Sequence, residues 1–145
     1  VSDEDLDDIV AVARARGIDG MIVSNTTISR PDSLKEQALA REAGGLSGKP
    51  LFRLSTQVLA KCALRVEGAF PLIGVGGIDS GAAAIAKFRA GASLVQLYSA
   101  LVYKGPGLIG EIKDALSAEI GRTGCGSVAG LVGSHVADMA EGRFD

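Results

Sequence analysis

Residues 71–99 restrict the fold more than any other part of the sequence, because they contain two short apolar strands with one helix between them. The first strand ends in the glycine-rich run 74–77, and Ser80 is placed to cap the helix that follows. That helix ends near Gly91, and the second strand, 93–97, comes directly afterwards. Two strands joined by one helix indicate a right-handed crossover in a parallel sheet. We therefore predict an α/β fold, either doubly wound or a (β/α) barrel.

The rest of the sequence continues this alternation. Helices are predicted over four further segments: 2–17, 50–66, 106–121 and, as a short helix, 128–136. The apolar run 20–24 predicts a strand that is buried on both faces. Turn residues and glycines over 29–48 indicate a long loop or lid, with a short helix over 34–42.

Composition does not decide between the two architectures, but length bears on the choice. A complete (β/α)8 TIM barrel typically needs roughly 250 residues. These 145 residues would therefore supply about half of one, its later strands. The length is typical of one domain and would fit a fragment of a barrel, and a hydrophobic fraction of 47% is enough to give it a substantial core.

Charge and cysteine usage exclude several classes of function. A net charge of -2 without a basic block argues against nucleic acid as a partner. Cys62 and Cys125 lie far apart and His135 is the only histidine, so neither a disulfide framework nor a metal site is predicted. A reducing, cytoplasmic setting fits this usage best. The sequence contains no apolar run of about 18 residues, so no membrane span is expected.

The two strand ends in residues 71–99 predict a phosphate site. Gly76 and Gly77 follow the first strand, and Tyr98 and Ser99 follow the second, where each strand opens onto a helix. Backbone N–H groups at such positions can bind one phosphate group together. Asp79 occupies the third glycine position of a GxGxxG motif, which argues against a Rossmann dinucleotide site. The alternative is that the two glycines only make a tight turn.

Two other segments carry candidate binding groups. Asn25 and Thr26 follow the strand 20–24 and offer an amide and a hydroxyl, which suit a planar ligand with carbonyl and N–H edges. The alternative for this pair is turn or helix capping. Ser47 and Gly48 could bring a backbone N–H to a ligand, although a glycine-rich loop is more often only mobile. Lys49 is predicted to be a solvated surface charge.

Four segments together resemble a known family. They are 24–31 (SNTTISRP), 44–51 (GGLSGKPL), 73–78 (IGVGGI) and 91–101 (GASLVQLYSAL). In order and spacing they resemble the C-terminal half of the class 2, quinone-dependent dihydroorotate dehydrogenases. Lys49 and Pro50 directly after Gly48 also resemble class 2, because the class 1 enzymes usually carry extra residues there.

The resemblance implies that residues 1–145 are the C-terminal half of one FMN-binding (β/α)8 barrel domain, with FMN at the carboxyl ends of the strands, in an enzyme of pyrimidine biosynthesis. Asn25 and Thr26 would contact the pyrimidine ring of dihydroorotate or orotate. Seven residues would contact FMN: Ser24, Ser47, Gly48, Gly76, Gly77, Tyr98 and Ser99. Of these, Gly76 and Gly77 would contact the phosphate region, and Tyr98 and Ser99 would complete the phosphate site at the start of the next helix.

The resemblance also implies that part of the enzyme lies outside these residues. The family's serine base, a lysine that supports the reduced flavin and the helices of the quinone entrance would all precede Val1. We therefore expect no catalytic residue in this chain, no activity from it alone, and peripheral membrane association of the complete protein. The alternatives are a class 1 enzyme that uses fumarate or NAD, and a non-catalytic half-barrel scaffold.

Overall fold

Three short parallel strands form the sheet of this protein, in a computed structural model that describes residues 1–32 and 34–144, without the side chain of Gln37. In spatial order the strands are β1 (Met21–Val23), β2 (Leu72–Val75) and β3 (Leu94–Gln96). Both strand pairs are parallel, so the three carboxyl ends lie at the same edge of the sheet. The predicted α/β fold with a parallel sheet is confirmed.

Helices connect the strands and follow the last one. In chain order they are α1 (Asp3–Arg16), α2 (Gln37–Ala40), α3 (Phe52–Val66), α4 (Gly81–Arg89), α5 (Ser99–Lys104), α6 (Gly107–Thr123) and α7 (Val136–Ala140), with 3-10 turns at Lys49–Leu51 and Val128–Leu131. Among the described residues, no helix is long and apolar enough to cross a lipid bilayer.

The capping residues act as predicted at two helix starts. Ser2 and Asp5 form a reciprocal capping box at α1, and Gly17 ends that helix in the left-handed conformation. The Ser80 hydroxyl accepts from the Ala83 amide at the start of α4. These local hydrogen bonds satisfy backbone groups that a helix end leaves unpaired, which is why the sequence locates them well.

Four predicted helical segments are wrong in detail. The segment 34–42 is helical only over its four-residue centre, and 128–136 is not one helix, because Gly133 at φ 73° separates a 3-10 turn from α7. Helix α6 continues through Gly121 and ends at Gly124, which adopts the left-handed conformation that 121 does not. In 50–66, the first residues form a 3-10 turn before α3 begins at Phe52.

The helices cover one face of the sheet. The main core joins α1, α3 and α7 to buried strand residues such as Val23 and Leu72. On the opposite face, Ile22, Ile73 and Leu94 form a lateral row across the three strands. Ile22 is 57% exposed and Leu94 61% exposed. The prediction that 20–24 is buried on both faces is therefore wrong, because no helix in the described residues covers the second face.

Candidate functional site

A pocket of about 530 Å³ opens at the carboxyl edge of the sheet, between the ends of β2 and β3. Six of the nine predicted site residues line it: Ser47, Gly48, Gly76, Gly77, Tyr98 and Ser99. Its volume is within the usual range of small-molecule sites. The two strand ends that the sequence singled out therefore converge on one cavity.

The glycine loop after β2 lies directly on the start of helix α3. Gly76 and Gly77 have φ values of 98° and 73°, which favour glycine. A Cβ atom on Gly77 would lie 2.5 Å from the Phe52 Cα atom, and one on Gly76 would lie 2.8 Å from the Ser55 hydroxyl. The glycines thus allow the backbone both a tight turn and a close approach to the helix. Neither requirement by itself involves a ligand.

Unpaired backbone donors at this loop provide the chemical signal. Within residues 1–32 and 34–144, the amides of Gly76, Gly77 and Ser99 donate to no protein acceptor. Gly77 is buried, and a buried N–H group is costly unless an acceptor meets it. All three residues line the pocket. The pocket is therefore suited to a ligand with several acceptor oxygens, such as a phosphate ester.

Two hydroxyls connect the segment before α3 with the end of β3. The Ser47 and Ser99 Oγ atoms are 2.7 Å apart, within hydrogen-bond distance. The adjacent Gly48 has φ 76°, and a Cβ atom there would lie 3.6 Å from the Ser99 Cβ atom. This contact brings 47–48 beside Ser99 at the pocket.

Charged groups at the pocket rim favour an anion. The Lys49 ammonium lies 3.4 Å from the Asp79 carboxylate, and the Lys104 ammonium donates to the Asp79 backbone carbonyl at 2.7 Å. Two lysines and one carboxylate therefore line the pocket, and only Lys49 pairs with that carboxylate. The Lys49 side chain is 81% exposed, which agrees with its prediction as a solvated charge, although it also has this ion-pair partner.

Ser24, Asn25 and Thr26 lie at the same edge of the sheet but do not line this pocket. All three are exposed, and the Asn25 side-chain oxygen accepts from the amide of the next residue, Thr26, at 2.8 Å. A Cβ atom on Gly45 would lie 1.8 Å from the Thr26 hydroxyl oxygen, so the chain passes directly over this residue. The segment then continues to Ser47 at the pocket.

Arg30 organises the loop between these two parts of the site, and the sequence reasoning missed it. Its guanidinium donates to five backbone carbonyls in the described residues: those of Thr27, Ser29, Ala40, Glu42 and Gly44. A two-way backbone bridge between Thr27 and Leu46 closes the same loop. Five donors in a rigid fork suit this role, but the partners are backbone atoms, which leave no signal in the sequence.

The sequence reasoning also missed Lys87, which is fully buried beneath the glycine loop. Its ammonium donates to the Ser55 hydroxyl at 2.7 Å and to the Val75 carbonyl at 3.2 Å. Burial lowers the pKa of Lys87 to about 7. The sequence did indicate that this lysine is buried. Lys87 follows Ala83 by four residues and Ala84 by three, so all three side chains lie on the same, buried face of α4.

Comparison with known proteins identifies the family. The sequence profile described as Dihydroorotate dehydrogenase matches residues 1–120. The chain belongs to the dihydroorotate dehydrogenase family. Proteins named dihydroorotate dehydrogenase (quinone) from Bradyrhizobium sp. BTAi1 and Rhodopseudomonas palustris BisA53 are 65% and 62% identical to it, over 93% and 90% of this chain. The resemblance stated from the sequence is confirmed.

The chain spans 37% of the length of the Bradyrhizobium relative and 36% of that of the Rhodopseudomonas relative, within the C-terminal half. Two crystal structures of the dihydroorotate dehydrogenase of Eimeria tenella, one in complex with ferulenol and one ligand-free, superpose on it with TM-scores of 0.87 at 39% identity. Each superposition covers 92% of this chain and 35% or 37% of the other. The described residues contain no cluster of metal-ligating side chains.

Proposed function

We propose that the protein containing this chain oxidises dihydroorotate to orotate, with FMN as cofactor and a quinone as electron acceptor. The observation that carries the proposal is the pocket where the unpaired amides of Gly76, Gly77 and Ser99 meet, in a chain of the dihydroorotate dehydrogenase family. The names of the 62–65% identical relatives support the quinone as acceptor.

In this proposal β1, β2 and β3 are the last strands of a (β/α)8 barrel. The lateral row of Ile22, Ile73 and Leu94 supports it, because a doubly wound sheet has helices on both faces, whereas a barrel keeps its inner face for packing within the closed sheet. Two of these side chains are more than half exposed here. The remaining strands of the protein would cover them and close both sheet edges.

FMN fits the donor set of the pocket. Its phosphate would accept from the amides of Gly76, Gly77 and Ser99, beside the rim cations Lys49 and Lys104. Gly48 and Ser47 would bind the flavin on the opposite side, and Tyr98, which is 79% exposed, has a ring available to pack against it. Ser24 would lie against the flavin from the end of β1. When bound, FMN would supply a hydride acceptor.

The substrate would bind next to the flavin, at the end of β1. The Asn25 amide and the Thr26 hydroxyl can pair with the carbonyl and N–H edges of the pyrimidine ring, and both side chains are exposed at this edge of the sheet. Gly45 passes over Thr26, and Arg30 holds this part of the loop in place. The chain's own contribution is therefore to orient the ring and to cover it.

The proton acceptor of the reaction would come from the part of the protein outside these residues, together with the quinone entrance. Among the described residues, the side chains that line the pocket and can exchange a proton are two serines, two lysines, two tyrosines and Asp79; the two serines, Ser47 and Ser99, are within hydrogen-bond distance of each other. We accordingly propose that the 145 residues are inactive alone and that the complete protein associates peripherally with the membrane.

Spectroscopy of the complete protein tests the function. We expect a yellow protein with an FMN spectrum that dihydroorotate bleaches and that a quinone restores. Recovery with fumarate or NAD but not with quinone would instead indicate a class 1 enzyme. A colourless, stable oligomer that binds no flavin would indicate a scaffold and would refute the proposal.

A second experiment tests the division of the site between the two parts of the protein. The isolated 145 residues should bind FMN poorly, because the flavin ring would have a wall on one side only. Isothermal titration of the isolated chain measures this affinity, with the complete protein as control. A submicromolar dissociation constant for the isolated chain would contradict the division.

A further inference from the structure

We propose that Lys87 is a positioning residue, whose buried amine holds the glycine loop so that the Gly76 and Gly77 amides stay directed at the phosphate of the flavin. The inference rests on the proposed function and extends it to a residue that does not line the pocket. Lys87 would act through the backbone of the loop, without touching the ligand.

A continuous set of hydrogen bonds connects Lys87 to the loop. Its Nζ atom donates to the Val75 carbonyl at 3.2 Å and to the Ser55 hydroxyl at 2.7 Å. The Ser55 hydroxyl in turn lies within donating distance of the Gly76 carbonyl, at 3.0 Å, and also of the Phe52 carbonyl in its own helix, at 3.1 Å. Two successive carbonyls of the loop, those of Val75 and Gly76, are thus held from the buried side of the sheet.

The planarity of the peptide bond converts this hold into an orientation of the amides. In a trans peptide the N–H group points opposite to the C=O group of the preceding residue. Both peptides of the loop are trans. With the Val75 and Gly76 carbonyls turned inward toward Lys87 and Ser55, the Gly76 and Gly77 amides are turned outward, and neither has a protein acceptor in the described part of the chain.

Burying the Lys87 amine costs free energy, and its hydrogen bonds to Ser55 and to the Val75 carbonyl offset that cost. Lys87 is fully buried, with the Phe52 ring 5.5 Å from its Nζ atom, and burial lowers its pKa to about 7. A methionine of similar length would avoid that cost but would leave the Val75 carbonyl without its side-chain donor. Both the ammonium and the neutral amine carry enough N–H groups for the two observed bonds, so the hold does not depend on the charge state.

The test compares FMN with riboflavin, which lacks the phosphate, on the complete protein. We expect Lys87→Met to weaken FMN binding by about tenfold, the lower end of the range known for residues that orient metal ligands through hydrogen bonds. Riboflavin binding should stay unchanged, because riboflavin makes no use of the two amides. The matched control is Phe88→Leu, a buried neighbour on the same helix that makes no hydrogen bond to the loop; it should leave the ratio of the two affinities unchanged.

The outcomes separate this inference from the proposed function. If the unmutated protein binds FMN but Lys87→Met keeps the same FMN-to-riboflavin ratio, or weakens both ligands equally, the positioning role is wrong and the function stands. If the unmutated protein binds neither flavin, the proposed function fails. Should Lys87→Met not fold, Ser55→Ala replaces it, because Ser55 joins Lys87 to Gly76; a phosphate-specific loss would support the role and an unchanged ratio would overturn it.

Discussion

Replacing Gly77 by alanine tests the close contact between the glycine loop and helix α3. The residue has φ 73°, and the left-handed region costs a non-glycine residue about 1–2 kcal/mol. The added Cβ atom would also lie 2.5 Å from the Phe52 Cα atom and 2.7 Å from its backbone nitrogen. Because backbone atoms cannot rotate away, overpacking adds about 1–3 kcal/mol. We expect the free energy of unfolding to fall by about 2–5 kcal/mol.

Gly17→Ala is the matched control for this change. Gly17 has φ 62°, and a Cβ atom there would meet nothing within 4 Å. It should therefore show only the conformational cost, about 1–2 kcal/mol. Urea denaturation of the complete protein, with linear extrapolation to water, measures both variants.

The same pair of variants also separates stability from binding. Gly77→Ala should displace the loop and weaken FMN binding, whereas Gly17→Ala should leave FMN affinity unchanged, because Gly17 ends α1 and does not line the pocket. Equal decreases in the free energy of unfolding for the two variants would show that the predicted steric contact with Phe52 does not exist. Close packing against α3 would then not explain the glycine at position 77.

Three further results are expected. Asn25→Ala in the complete protein should weaken orotate binding by about 1–3 kcal/mol, since a buried ligand group loses its partner, and an unchanged dissociation constant would count against the assignment. Arg30→Ala should speed hydrogen exchange at the Leu46 amide, which donates to the Thr27 carbonyl at 2.7 Å. The control Arg41→Ala should not change this exchange rate. Equal exchange rates in the two variants would show that Arg30 does not hold the loop in place. Finally, the pKa of Lys87 is about 7 in the folded protein, below the reference value of 10.5. Between these two pH values the unfolded chain therefore binds more protons than the folded one. The free energy of unfolding should rise with pH over this range, by up to about 1.4 kcal/mol per pH unit. Lys87→Met should flatten this part of the stability profile, and an unaltered slope would mean that the amine is not buried.

Local patterns were sufficient for the elements and for much of the site. The caps at Ser2 and Ser80 and the glycine after α1 mark helix ends through hydrogen bonds that span only a few residues. The predicted strand 93–97 is observed as Leu94–Gln96, within one residue at each end, and the parallel pairing places Gly76, Gly77 and Ser99 at one edge of the sheet. The convergence of Gly76, Gly77, Tyr98 and Ser99 on one pocket follows from that topology, whereas Ser47 and Gly48 reach it from the loop before α3.

Long-range packing decided the rest, because it brings together groups that are far apart in the chain. Whether the 20–24 strand is covered on both faces depends on where helices pack, and Ile22 remains exposed because they pack on the other side. Lys87 was recognisable as a lysine on an apolar helix face, but its partners, Ser55 and the Val75 carbonyl, come from other elements. The sequence by itself determined the family, the order of helices and strands, and the loops whose amides line the pocket. Only the tertiary structure decided which backbone groups are held by buried side chains and which stay free, since hydrogen-bond satisfaction is a property of the packed chain.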